Sequence, residues 1–581
     1  MTSIPCKLRL LVSQLVMAAL LLVVVLAVHL SPMNKVRVSL RSQSVSTGLL
    51  DYGEKGKILK TLGLVYGVRD DLTRPNRDLS DSVQTNLFQK KREKGEYVYR
   101  ANPGSGFQLP STLAAKDAEF RKHWFLASLA VDQAALTDTN TGITSNPNLR
   151  GRRWERRATV SFFDHDNLVL ATSAGVRIQG GNRLEEPGYT GYDRSYRLYL
   201  RYDYGVDSVP ASVIFSGETS PLKRLVFRKS RLFANELALD IAERIGAFVP
   251  HHMPIILYMN GNNLGVYTLL EHVGRRQWQA RLGHDNFYFV RHGGTTDEAS
   301  VSNYRKAWTW FSENRAQIGI ERVSEKIDLH NLTRNLFSLM FCGANDRFQE
   351  AAVLDNSEID PRWRWVTWEL SDCFQNKWAL PNGEAQWQQA ALRQVVARDP
   401  ATQSWNPTYR SFRSDLFAQL LNNSPEYVEY FLRTVTDALN HEITSDFLES
   451  RHAHYESLLE HFRDPLLEGQ IEDFRSVRDY LKHRPDYIRE DIQAAFDLEG
   501  VHTVNVSLPS RKPFAVDGHA KNGHYSGRYF SGQTIEVRLN EVSALEPVSW
   551  TVNGKIISGN PVRVAVTTDT LIQMNNIESD N

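Results

Sequence analysis

The chain has 581 residues, and its 68 Lys and Arg nearly cancel its 67 Asp and Glu, leaving a formal net charge of +1. That balance argues against a dedicated nucleic-acid binder, whose footprint is a net basic domain or stripe. With 41% hydrophobic residues and 12 Trp the bulk of the chain can build a packed interior, which excludes disordered, collagen-like and polytopic membrane classes, and three cysteines with no CxxC exclude a four-thiolate metal site.

The first element in chain order is apolar. Residues 10–30 contain no Asp, Glu, Lys or Arg, and 21 residues at about 1.5 Å each cross a hydrocarbon core of about 30 Å. Lys7 and Arg9 precede the stretch as in a secretory signal, but no small-x-small cleavage site follows Ala27, so residues 1–30 are expected to be a short tail and an uncleaved, single-pass membrane anchor. Lys35, Arg37 and Arg41 on the far side match the near-side charges. The short leading tail favours a body on the periplasmic, extracytoplasmic side. Residues 31–121 read as a polar stalk, with the cluster Lys90, Lys91, Arg92 and Lys94 as a solvated face.

From 124 to 131 the chain is apolar, 159–163 and 168–171 read as strands, and 194–201 alternates. Residues 225–228 predict a short strand. A helix from about 231 to 246 follows, with Phe233, Leu237, Ile241 and Ile245 recurring every fourth residue and Gly246 as its stop. Residues 255–259 and 265–270, joined through Asn260-Gly261, predict an antiparallel hairpin. Helix is expected from about 301 to 341, broken near Gly319 and capped afresh at Asp328, then a second hairpin from about 352 to 370 and helices from about 410 to 498. Past Gly500, short runs such as 534–539, 548–552 and 562–567 predict a small all-β, sandwich-like module over 501–581.

Strand, helix, hairpin, connector, helices, loop Asp, hairpin and loop acid is the order a two-lobed phosphotransferase needs. Glu271-His272-Val273, just past the first hairpin, could present backbone groups to an adenine edge. Asp346, after the apolar helix, is the candidate acid for positioning a hydroxyl, and Glu369, with Asp372 as a substitute, the candidate metal acid. Cys342 and Cys373 read either as two buried thiols or, in an oxidising compartment, as a disulfide.

Several ordered motifs carry a resemblance. They are NLRGRRWERRATVSFFD at 148–164, GVRIQGG at 175–181, RSYRLYLR at 194–201, LVFR at 225–228, LYMNGNNLGVYTLLEHV at 257–273 and WRWVTWELSD at 363–372. Together they resemble the spore coat protein H (CotH) kinase family over about 122–500. The resemblance implies an α+β, atypical protein-kinase-like two-lobed fold that binds ATP with Mg²⁺ or Mn²⁺ and phosphorylates Ser or Thr of a protein; with the expected anchor, the substrate is expected to be an envelope protein or an envelope glycan. It places Asp346 on the family's loop aspartate and Glu369 on the first acid of its WDLD, with Asp372, one residue past the second, as a substitute metal acid. Glu271 falls on the connector glutamate beside Val273, and Arg177, Arg197 and Arg228 on phosphate-side basic positions. Two departures stand out. Ala351 occupies a position where the family has Asn, and Glu369 and Ser371 stand where it has two Asp, changes that bear on a hard dication. An active kinase and a catalytically impaired protein organising an envelope or coat assembly are therefore both expected readings.

Overall fold

The computed structural model describes residues 88–93, 96–101, 123–164, 167–180, 194–216, 220–292, 296–344, 350–359, 361–375, 385–460, 467–508, 513–540 and 548–575. The chain divides into two compact units, one of residues up to 223 with 255–265, the other of 224–254 with 266 onward. It is a mixed α+β protein. Among the described residues no helix is long and apolar enough to cross a membrane. The apolar stretch 10–30 lies outside the described residues.

In the first unit, β1 (Phe88–Glu93) and β2 (Glu96–Ala101) form an antiparallel hairpin inside the segment read as stalk. Strands β3 (Phe125–Val131), β4 (Arg156–Asp164), β5 (Asn167–Gln179) and β6 (Ser195–Tyr199) then run as an antiparallel meander. Glu155 fixes the start of β4. Its buried carboxylate accepts from Arg201 Nε at 2.9 Å and Nη2 at 2.7 Å.

The chain continues through β7 (Arg224–Arg228) and α1 (Ala234–Arg244) into a hairpin of β8 (His252–Met259) and β9 (Asn262–Glu271). Asn260 and Gly261 have φ of 49° and 81°, the two positive values a type I′ turn demands. The tip of this hairpin belongs to the first unit, where Ile256 to Met259 run parallel to Leu126 to Leu129. Its base belongs to the second, where Thr268 to Glu271 pair with Leu225 to Arg228. Helix α1 begins three residues later than its apolar spacing predicts. Phe233 takes a left-handed φ of 52° just before it, held by its stack on Tyr455 and edge contact with Phe474.

The second unit adds α2 (Arg275–Leu282) and a three-stranded antiparallel sheet of β10 (Phe287–Arg291), β11 (Ala351–Asp355) and β12 (Arg364–Trp365). Val273, Trp278, Phe287, Phe289, Ala351 and Val366 form one apolar core there. Between β10 and β11 lie α3 (Glu298–Glu313) and α4 (Leu329–Cys342). The Asp328 carboxylate caps α4 by accepting from Asn331 N at 3.0 Å. Four further helices follow: α5 (Phe412–Asn423), α6 (Pro425–Asp437), α7 (Ser445–Glu460) and α8 (Glu468–Ala495), with a π turn over Ala438–Glu442 after α6.

From 501 onward every described element is a strand. β13 (Val501–Ser507), β14 (Pro513–Val516), β15 (His519–Asn522), β16 (His524–Phe530) and β17 (Thr534–Leu539) come first. β18 (Ser549–Val552), β19 (Lys555–Ser558), β20 (Val562–Ala565) and β21 (Thr570–Met574) complete the set. They make two sheets, β16-β13-β21-β18-β19 and β15-β14-β17-β20, around a core that includes Val504, Phe514, Ile535, Trp550 and Ile572. Asn440 of the π turn meets strand β16, its amide donating to Arg528 O at 3.0 Å and its carbonyl oxygen accepting from Arg528 N at 3.1 Å.

Candidate functional site

The segment carrying Glu369 and Asp372 is fixed by residues of β7, of α1 and of the turn that joins them. From β7, Arg228 Nη1 lies 2.5 Å from Glu369 Oε1, and Nη2 donates to Ser371 Oγ at 2.9 Å. From α1, Asn235 Oδ1 accepts from Leu370 N at 3.0 Å. Arg231, just before α1, donates to Cys373 O at 2.7 Å while its other nitrogens hold Asp473 of α8. Glu369 itself has φ of 63°, a left-handed conformation that costs a side-chain-bearing residue about 1 kcal/mol or more. Asp372 is half-buried beside it.

Helix α4 leads to the other candidate acid. Its last carbonyls would be unsatisfied in the interior, and the fully buried Arg484 of α8 answers them, donating to Phe341 O at 3.1 Å and Met340 O at 2.6 Å. Tyr480 adds a 2.7 Å bond to Phe341 O. Gly343 then turns the chain with φ of 62°, and Cys342 O accepts from Phe374 N at 2.9 Å, tying the end of α4 to the 369–374 segment. Asp346 lies just beyond, outside the described residues. On the far side Glu350 Oε1 accepts from Tyr304 Oη at 2.9 Å and Trp365 Nε1 at 2.6 Å. Cys342 and Cys373 are both buried free thiols. Burial, aided by a hydrogen bond with Cys342, pushes the Cys373 thiol well above its ordinary range.

On the connector, the Glu271 carboxylate is buried and accepts from Arg281 Nη1 at 2.8 Å and Gln277 Nε2 at 3.1 Å. The amides of Glu271 and His272 donate to the carbonyls of His251 at 2.8 Å and Arg224 at 3.2 Å, so both are committed to the protein's own backbone. Val273 O accepts from Arg291 at 2.7 Å, and the Arg291 guanidinium lies 5.0 Å from the centre of the Trp368 ring. Arg291 thus joins the connector to the residue preceding Glu369.

Arg177 and Arg197 belong to the first unit, directly opposite each other on β5 and β6. Arg177 donates to Gly151 O at 3.2 Å and lies 5.3 Å from the centre of the Tyr199 ring. Arg150 is nearby, its guanidinium pushed below its ordinary range by burial and by the charge of Arg177.

Sequence reasoning missed Asn235, Glu236, Glu350 and Arg484. Glu236, in the first turn of α1, is 1% exposed, and burial pushes its carboxyl up to about 7. Among the described residues Glu236 Oε2, Asn235 Nδ2 and Arg228 Nε are buried without a hydrogen-bond partner. The one available signal was polar side chains on the face of α1 that its apolar period buries.

The donors at 369–372 are oxygens, the type a hard dication takes. They therefore fit Mg²⁺ or Mn²⁺ in kind, with the condition that the cation shares Glu369 with Arg228. Residues 224–494 match the family model described as CotH kinase protein. No curated protein matches the chain.

Proposed function

The chain belongs to the CotH kinase family, and we propose on that premise that it is a membrane-anchored, kinase-like phosphotransferase of the cell envelope. In this reading it has two lobes, binds ATP with Mg²⁺ or Mn²⁺, and moves a phosphoryl group to a Ser or Thr hydroxyl of an envelope protein, or to an envelope glycan. Asp346 accepts the hydroxyl proton. Glu369 and Asp372 would hold the metal, whose chemistry when bound is to neutralise phosphate charge. Arg228 adds a fixed positive charge beside those acids. Arg177 and Arg197, cross-strand neighbours on β5 and β6, supply positive charge for the phosphates. The Val273 carbonyl marks the base-holding connector.

The observation that carries this reading is the anchoring of 369–373. Residues of β7, of α1 and of the turn between them, the last braced by Asp473 of α8, converge on the one segment that holds both metal-type acids. Such rigid support is what a phosphoryl-transfer site needs, because its catalysis is positioning and electrostatics.

A second reading, an impaired kinase fold that organises an envelope or coat assembly, is favoured by one contact. Arg228 already gives Glu369 a cation at 2.5 Å, as expected of a structural ion pair. Thermal unfolding of the purified full-length chain with ATP and Mg²⁺ or Mn²⁺ separates the two. The enzyme reading expects a nucleotide- and metal-dependent upward shift, and phosphate incorporation that Asp346→Ala abolishes. No shift in the wild type, with Asp346→Ala indistinguishable from it, leaves only the assembly reading.

A further inference from the structure

A second cluster in the same unit has ligand chemistry that the phosphotransferase reading leaves unused. Asp437 closes α6, and His441 follows four residues later in the π turn, a spacing that places two side chains on one side of a helix. His519 opens strand β15 of the C-terminal module. One ligand atom from each residue lies within 4.8 Å of the other two. The two imidazoles lie face to face, with centroids 4.1 Å apart and planes 11° from parallel.

The surroundings of His441 decide its tautomer. Tyr529 Oη donates to Asp517 Oδ2 at 3.0 Å, so the 2.7 Å bond between the two tyrosine hydroxyls takes its proton from Tyr525. The Tyr525 oxygen is then left to accept from His441 Nε2, 3.5 Å away. With the ring proton on Nε2, His441 Nδ1 carries a lone pair, and that atom is buried with no hydrogen-bond partner among the described residues. The whole residue is 8% exposed. An imidazole oriented through its far nitrogen by hydroxyls that end on a carboxylate is how metal-binding histidines are held.

We propose that Asp437, His441 and His519 form a site for a first-row divalent cation, with Zn²⁺ the best chemical match, joining the helical layer to the C-terminal β module. Two imidazole nitrogens and one carboxylate oxygen suit that borderline ion, and three protein ligands leave a fourth position for water. Metal–ligand distances of about 2.0–2.1 Å require donors roughly 3.4 Å apart, so binding requires the His519 ring to turn out of its stack on His441 until both in-plane lone pairs meet at the cation. The charges near the cluster agree. Burial pushes the Asp437 carboxyl up to about 7, and burial with the charges of His519 and Lys521 pushes His441 down to about 3. A cation between the groups favours the ionised carboxylate and the neutral imidazole, the two forms that ligate. Of the positive groups that act on the cluster, Arg433 pairs with Asp517 at 3.4 Å and Lys521 lies over the Tyr525 ring at 5.3 Å.

The test takes the full-length chain through a chelator, then dialyses it against ZnCl₂ or CoCl₂. Metal analysis should find about one equivalent retained, Co²⁺ should give the visible absorption of a four-coordinate nitrogen and oxygen site, and the metal should raise the unfolding temperature. His519→Ala, at a half-exposed position, should lose that equivalent with unchanged circular dichroism. Tyr525→Phe should weaken it roughly tenfold, and Glu369→Gln should retain it. A wild-type chain that retains no metal overturns the proposal, as does an equivalent that survives both His519→Ala and Asp437→Asn.

Discussion

Arg228 and Glu369 face each other at 2.5 Å with side chains only 20% and 18% exposed, one on a strand that opens the second unit and the other in a left-handed turn after the sheet. The pair gives the strained glutamate a reason to hold its conformation.

That pair should behave as one energetic unit. In a double-mutant cycle on the unfolding free energy with Arg228→Met and Glu369→Gln, the coupling should be about 1–3 kcal/mol, as for contacting charges away from bulk water. A coupling near zero would mean that the two side chains hold their places independently.

Glu236 makes stability depend on pH. Its folded value of about 7 lies above the ordinary carboxyl value of 4.5, so protonation favours the folded state. Its stabilising effect is complete below about pH 4.5 and is lost as pH rises to about 7, a loss of about 3 kcal/mol. Glu236→Gln should flatten the fall in unfolding temperature between pH 5 and 8. An unchanged slope would show that this carboxyl titrates normally.

Asp240 ties α1 to α7. It accepts from His252 Nε2 at 3.0 Å and, through its other oxygen, from Arg451 Nη2 and Tyr455 Oη at 2.5 Å each. Asp240→Ala leaves the buried His252 imidazole and the partly exposed Arg451 guanidinium without their acceptor, and should cost about 2–3 kcal/mol. Burial pushes His252 down, but its bonds to Asp240 outweigh this and its value is raised. The imidazole's share of stability is therefore complete below about pH 6.5 and is lost as pH rises through the raised folded value. The alanine variant should lose this dependence in unfolding scans.

Arg484 is fully buried, donates to the carbonyls of Phe341, Met340 and Trp387, and lies over the rings of Tyr480 and Tyr487. Arg484→Met removes the cap of α4 while keeping bulk, so it should destabilise the second unit by about 3 kcal/mol or more. Hydrogen exchange should rise first in residues 337–342, ahead of the chain that carries Asp346.

What the sequence made legible was local chemistry. Asn260-Gly261 forecast its turn, Asp328 its cap and Gly246 its helix stop, because each effect acts within four residues. Arg228, Glu369 and Asp372 were readable as candidates from motif order, but no spacing encodes the bond between Arg228 and Glu369. The same holds for Arg484, whose partners lie about a hundred or more positions away, and for Glu350, enclosed by Tyr304 and Trp365. The start of α1 was missed because Phe233 satisfies the apolar period while adopting a conformation that only its packing against Tyr455 and Phe474 explains.

Asn440 has a consequence for how copies of this chain behave together. Strand β16 lies at the border of its sheet, and a bordering strand is a template onto which a foreign strand can zip. At Arg528 both main-chain groups that would begin such an addition are already taken by the Asn440 amide. One side chain from the helical layer thus acts as a chain terminator for the module, and Asn440→Ala is where strand-mediated self-association would start.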